Sequence, residues 1–257
     1  MARDFDGTDD YIDWGNLGSL IHTPSALSGS IWVWLDDLTA DHTIANTRTP
    51  AGGINWQFDD VGSVSGRTDM FNIFVEEDAG TNTRIESATA SAVSGAWQHV
   101  FFSFVPNAVE GLQLWINGVE DANSPVNTTN IDDLGTTEST NLRNGSDNGA
   151  LRDHDGRLAE QAYWSRGLTD AEIISLSKGY SPLFFSSLFF YSPIIGRNSP
   201  ETDSVGGRTG TITGTTAVIN HPRIIYPSFA QIRRFTTAVA PAGDANIGYR
   251  SLLGVGI

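Results

Sequence analysis

The chain has 257 residues, enough for one large β-sandwich or two small domains with a buried core. Thirty acidic residues against fifteen basic ones give a formal net charge of -15, and that field argues against nucleic-acid binding because no local basic patch opposes it. There is no cysteine, which excludes a disulfide framework and a thiolate metal site.

In chain order, the first stretch is DFDGTDDYIDWG, from Asp4 to Gly15. Its acids do not make an EF-hand, which needs Gly at position 6 and Glu at position 12 of the loop. Counted from Asp4 these positions hold Asp9 and Gly15, and counted from Asp6 position 6 is Tyr11. The stretch therefore reads as a turn at Asp6-Gly7 and a strand whose Tyr11 packs inward while the acids face water. GSIWVWLDDL, with its apolar run from Ile31 to Leu35, reads as a strand covered on both faces. MFNIFVEE puts Phe71, Ile73 and Val75 on one side, and AWQHVFFSFV is a further aromatic strand. GLQLWINGVED alternates Leu112, Leu114 and Ile116 against Gln113 and Trp115 before Asn117-Gly118, whose two residues supply the positive φ angles of a tight hairpin.

GLTDAEIISLSKGY is the helical segment. Thr169 is the N-cap with Glu172 three residues on, a capping box, and Leu168 and Ile173 are spaced as a hydrophobic staple. Lys178 in the last turn and Gly179 after it close a helix of about nine residues. Many strands with one short helix predict an all-β fold, a two-sheet antiparallel sandwich. Beyond Gly179, further strands alternate with Gly and Pro turns over residues 181–228, and a small-residue-rich tail follows over 229–257. The start lacks the apolar segment of a secretory signal, and the greasiest run, from Leu183, is too short to cross a bilayer, so the chain reads as soluble without a signal peptide.

Three kinds of site residue stand out. NLRNGSDNGALRDHDG concentrates Asn144, Asp147, Asn148, Asp153 and Asp155, oxygen donors suited to calcium. The same residue types serve tight turns, and both readings stay open. Among the tryptophans, Trp56 and Trp115 have the neighbours of a less buried face and are candidates for stacking on a sugar. The carboxylate run Glu76, Glu77, Asp78 points its neighbours to opposite faces, so it does not supply the facing pair that glycoside hydrolysis needs. The five histidines show neither metal spacing nor a paired nucleophile.

Five segments in this order, FDGTDDYIDWG, GSIWVWL, GAWQHVFFSF, LQLWINGVED and HDGRLAEQAYWSRGLTDAEI, resemble the laminin-G-like jelly rolls of the concanavalin A-like lectin/glucanase superfamily over roughly residues 4–180. LFFYSPIIGRNSPETDSVGGRTGTITGTT resembles a segment that precedes the opening motif in many such proteins. Its position after the helix implies that residues 181–228 complete the 1–180 sandwich from the C-terminal side, as in a circular permutation. The ending HPRIIYPS makes the layout similar to jelly rolls encoded by tailed bacteriophages. The resemblance implies a non-enzymatic structural protein on the surface of a virion, made in the host cytoplasm. Its expected partners are other virion proteins, further copies of itself through the 229–257 arm, and a host-surface glycan. The alternative reading is a carbohydrate-binding or adhesion module assisted by calcium, and a glycoside hydrolase ranks third. No nucleic-acid or membrane partner is expected.

Overall fold

The run from Ile31 to Leu35 shows how the chain is layered. Ile31, Val33 and Leu35 join one buried cluster, while Trp32 and Trp34, pointing the other way, keep part of their surface in solvent. A computed structural model describes residues 2–22, 24–48, 54–61, 69–77, 80–134, 141–147, 152–196, 199–214 and 218–227. Residues 1–226 form one compact unit.

The strands of the first half are β1 (Ala2–Asp6), β2 (Tyr11–Asp13), β3 (Leu27–Leu35), β4 (His42–Arg48), β5 (Ile54–Val61), β6 (Met70–Glu76) and β7 (Asn82–Glu86). Next come β8 (Trp97–Phe104), β9 (Leu112–Ile116), β10 (Val119–Glu120), β11 (Arg143–Asn144) and β12 (Asp155–Trp164). The last four are β13 (Leu188–Ser192), β14 (Glu201–Thr202), β15 (Thr209–Thr213) and β16 (Val218–Ile219). They form two antiparallel sheets. The first runs β10-β9-β8-β3-β12-β1-β16, with β13 also paired to β12; the second runs β14-β15-β2-β11-β4-β5-β6-β7. The fold is the expected two-sheet sandwich, and the main core lies between the sheets, where Val33, Val100 and Phe102 meet Ile44, Phe58 and Ile73.

Local signals behave as the sequence predicts. Asn117 and Gly118 take φ of 53° and 79°, and Val119 pairs with Ile116 across the turn. Helix α2 (Asp170–Ser177) carries the full capping box between Thr169 and Glu172. Its C-cap is Lys178, one residue beyond the last turn, and Gly179 follows at φ 85°. Among the described residues there are two further helical turns, α1 (Ser19–His22) and a 3-10 turn at Pro182–Phe184. Ile173 and Leu176 of α2 pack on the outer face of the first sheet, against Phe101, Trp115 and Trp164.

The strands from residues 181–228 enter both sheets. β13 pairs with the C-terminal half of β12, β16 with β1, and β15 with β2. Strand β12 is shared end to end along one edge: β1 pairs with Asp155–Leu158, and β13 with Gln161–Trp164. The hand-over falls at Glu160, whose φ of 57° breaks the extended run beside a register shift against β3. The 229–257 arm lies outside the described residues.

Candidate functional site

At one end of the sandwich, strand ends from both sheets bring together aspartates that are far apart in the chain. Asp6 ends β1 opposite Asp155, which begins β12. Gly7 turns the chain there at φ 72°, its N–H donating to His154 O at 3.0 Å. A Cβ on Gly7 would stand 3.0 Å from Asp155 Cβ, so the close approach also favours glycine. The turn is tied internally: Asp10 Oδ2 accepts from Asp6 N at 3.2 Å, and Asp6 Oδ1 accepts from Thr8 N at 3.0 Å. As a result, carboxylate oxygens of Asp6, Asp9 and Asp10 lie within 4.8 Å of one another.

This differs from the expectation that Tyr11 packs inward and every acid faces water. Asp6 and Asp9 are exposed, but Asp10 is fully buried. Ile12 takes the core position in β2, which turns Tyr11 outward to lie under the Arg143 guanidinium, 4.7 Å from its ring centroid. Gly214 packs directly on the Asp10 carboxylate, at φ 87° and with no room for a side chain.

The second acidic stretch reaches the same rim. Asp147 is buried, and Asp153 and Asp155 are half-buried. Burial raises the carboxyl pKa of Asp153 above the usual carboxylate range, against a hydrogen bond from Ser146, and the negative charges of Asp147, Asp9 and Asp6 push it further. Burial likewise raises Asp155, followed by repulsion from Asp37 and Asp36, with Asp6 adding to it. Asp59, reached from β5, is pushed up to about 7 by burial, despite a 2.9 Å bond from Gln57 Nε2 and the Arg152 guanidinium at 3.5 Å. Two sequence clusters more than a hundred residues apart thus share one field. Burial first and neighbouring carboxylates second raise Asp153 and Asp155, and oxygen donors crowded in this way suit a hard cation. Asp6, Asp9 and Asp10 would hold it, with Asp153 beside them, and the cation would neutralise the repulsion and offer positions to ligand hydroxyls.

Other predicted residues fall elsewhere. Asn144 is a structural residue: its Oδ1 accepts from Trp14 Nε1 at 2.7 Å and its Nδ2 donates to Ile44 O at 3.1 Å. Asn148 lies outside the described residues, as does the side chain of Trp56 on β5. Trp115 is a correction: only 6% of its surface is exposed, because α2 lies over the outer face of β9 and covers the indole. Glu76 and Glu77 sit at the β6–β7 turn, where Glu77 N donates to Thr81 O, and Asp78 lies outside the described residues. His154 and His99 are fully buried and neutral, their pKa values lowered to about 3 by burial first. At the rim, His42 Nδ1 lies 3.0 Å from Asp153 O and 3.3 Å from Asp155 N, and its Nε2 lies 3.3 Å from Asp37 Oδ1.

Sequence reasoning missed the tryptophans that do keep solvent contact. Trp14, Trp115 and Trp164 are buried, whereas Trp32, Trp34 and Trp97 are half-buried and stand together on the outer face of the first sheet. The strict alternation in IWVWL was the available signal: it places both indoles opposite the core residues.

Comparison with solved structures shows that the fold is shared with other proteins. A Bacteroides ovatus protein described as carbohydrate binding aligns with TM-score 0.64 and 18% identity, over 88% of this chain and 62% of its own length. This chain therefore spans about 62% of that protein. A heptameric pentraxin from Limulus polyphemus aligns at TM-score 0.50 and 13% identity, over 68% of this chain and 81% of its own. The receptor-binding domain of botulinum neurotoxin D aligns at 0.54 and 11%, over 69% and 44%. Among curated proteins none matches. A laminin G-type family model, described as the concanavalin A-like lectin/glucanases superfamily, matches residues 6–174. Sequence match and two-sheet topology agree, and the chain belongs to the concanavalin A-like lectin/glucanases superfamily.

Proposed function

We propose that the protein is a non-catalytic carbohydrate-binding module whose ligand is met at the acidic rim with the help of calcium. The observation that carries this reading is the convergence of Asp6, Asp9 and Asp10 with Asp153 at the strand ends of both sheets. Family membership and the fold shared with a Bacteroides ovatus protein described as carbohydrate binding support the ligand class. Calorimetric titration tests it. Calcium added to EDTA-stripped protein gives a saturable heat, and Asp9→Asn weakens the affinity by roughly tenfold, about 1.4 kcal/mol. An absence of calcium heat together with unchanged glycan binding in EDTA would remove the rim from the proposal.

A second reading is display on a bacteriophage particle beside other virion proteins and further copies of the chain, and it rests on the resemblance of the HPRIIYPS ending and its layout to tailed-phage jelly rolls. Strands from residues 188–219 close both sheets beside β1 and β2, the C-terminal completion expected of the sandwich, and leave the phage reading to that resemblance. Mass spectrometry of purified particles tests it, and particles lacking the chain would end it. The two readings are compatible, since a displayed module can bind glycans.

A further inference from the structure

We propose that Trp32, Trp34 and Trp97 form a stacking platform for a neutral saccharide on the outer face of the first sheet, continuous with the acidic rim; this rests on the carbohydrate-binding reading. The register aligns the platform. Trp34 stands opposite Trp97 across β3 and β8, and Trp32 stands opposite His99. On the other side, Trp34 faces Arg157 of β12, which in turn faces Asp4 of β1. Ring centroids of Trp34 and Trp97 are 5.9 Å apart at 67°, and those of Trp32 and His99 are 5.3 Å apart at 61°. The Arg157 guanidinium covers one face of Trp34 at 4.7 Å from its centroid, and Trp34 Nε1 donates to Asp36 Oδ1 at 2.8 Å.

The chain covers its other indoles and leaves these. Helix α2 packs over Phe101, Trp115 and Trp164 further along the same face, whereas Trp32, Trp34 and Trp97 belong to neither buried cluster. Grouped aromatic surface left in water forgoes burial that an adjacent helix provides a few residues away, the signature of a binding face. The fringe selects the occupant. Asp4 and Asp36 outnumber Arg157, which they hold at 3.1 and 3.8 Å. Carboxylates accept bonds from hydroxyls and repel an acidic glycan, so a neutral sugar presenting its C–H face to the indoles fits both parts. Asp36 N donates to Asp155 O at 3.0 Å, which sets the Asp36 fringe of the platform beside the rim.

The test titrates neutral hexasaccharides of β-glucan, xylan and mannan into the whole chain in saturating calcium. It is paired with N-bromosuccinimide oxidation of the tryptophans. We expect one of the sugars to bind and to protect indoles of the parent from oxidation. Trp32→Ala and Trp97→Ala should each weaken it roughly tenfold with calcium affinity unchanged, while Trp115→Phe has no such effect. Sugar binding at parental affinity in both variants would overturn the platform and leave the carbohydrate reading standing. If either variant fails to fold, unprotected indoles in the sugar-bound parent would overturn it equally. No binding of any sugar by the parent would remove both the carbohydrate reading and the platform.

Discussion

Glu172 shows how much one side chain can fix. Its carboxylate takes two bonds from Arg166, at 2.8 and 2.7 Å, and a third from Thr169 N at 2.9 Å. The Arg166 bonds come first among the causes that lower its pKa from 4.5 to about 2. A folded value below the unfolded one stabilises the native state above the unfolded pKa, and that contribution is lost as pH falls from 4.5 through about 2. Glu172→Gln should therefore cost about 1–2 kcal/mol at pH 7, with the cost gone near pH 2, measured by denaturant unfolding. Asp59 runs the opposite way. Its folded value, about 7, lies above the ordinary 3.8, so stability falls as pH rises between them. Asp59→Asn should raise the melting temperature at pH 8 in EDTA and have a smaller effect at pH 5; an equal shift at both would contradict the assignment. The capping role of Glu172 was legible because Thr169 lies three residues away. The burial of Asp10 was not: it depends on Ile12 taking the core position and on Gly214, two hundred residues distant, packing against the carboxylate.

At the level of elements, β12 is the strand that joins most of the fold, and Glu160 is its pivot. The carboxylate is 1% exposed and accepts from Tyr191 Oη at 2.7 Å and Tyr226 Oη at 2.9 Å, with His221 Nε2 at 3.1 Å. It thereby holds residues 221–226 to the first sheet, helped by main-chain bonds between Gly179, Ser181 and Ile225. Glu160→Ala leaves two phenols without their acceptor and should cost about 2–4 kcal/mol. Limited proteolysis should then open the chain near residue 221 before the rest; cleavage unchanged from the parent would refute the clasp. Elements with local signals, the Asn117-Gly118 hairpin and α2, were readable from the chain. What α2 covers was not, since docking is a long-range event, and this is why Trp115 looked available and Trp32, Trp34 and Trp97 did not. The bulge at Glu160 was equally hidden, because it arises only where β1 hands over to β13.

For the whole molecule, the sandwich class followed from strand-like runs and turns, and the closing role of the C-terminal strands followed from a motif found on the unexpected side of the helix. The acidic Asp6–Asp10 turn stood out in the sequence, but its meeting with Asp153 and Asp155 could not be read, because it depends on the long-range pairing of β1 with β12. A net charge of -15 makes that concentration of aspartates costly unless a cation binds. If calcium binds the folded chain alone, a hundredfold excess over its dissociation constant should stabilise it by about 2.7 kcal/mol, seen as a rise in melting temperature that EDTA reverses. The most direct test of the account is electrophoresis of the parent chain through gels holding a neutral polysaccharide, with calcium and with EDTA. The account predicts retardation with calcium, weaker retardation with EDTA, and polysaccharide of unchanged length. Free migration through every polysaccharide, or shortening of the glycan, would contradict it.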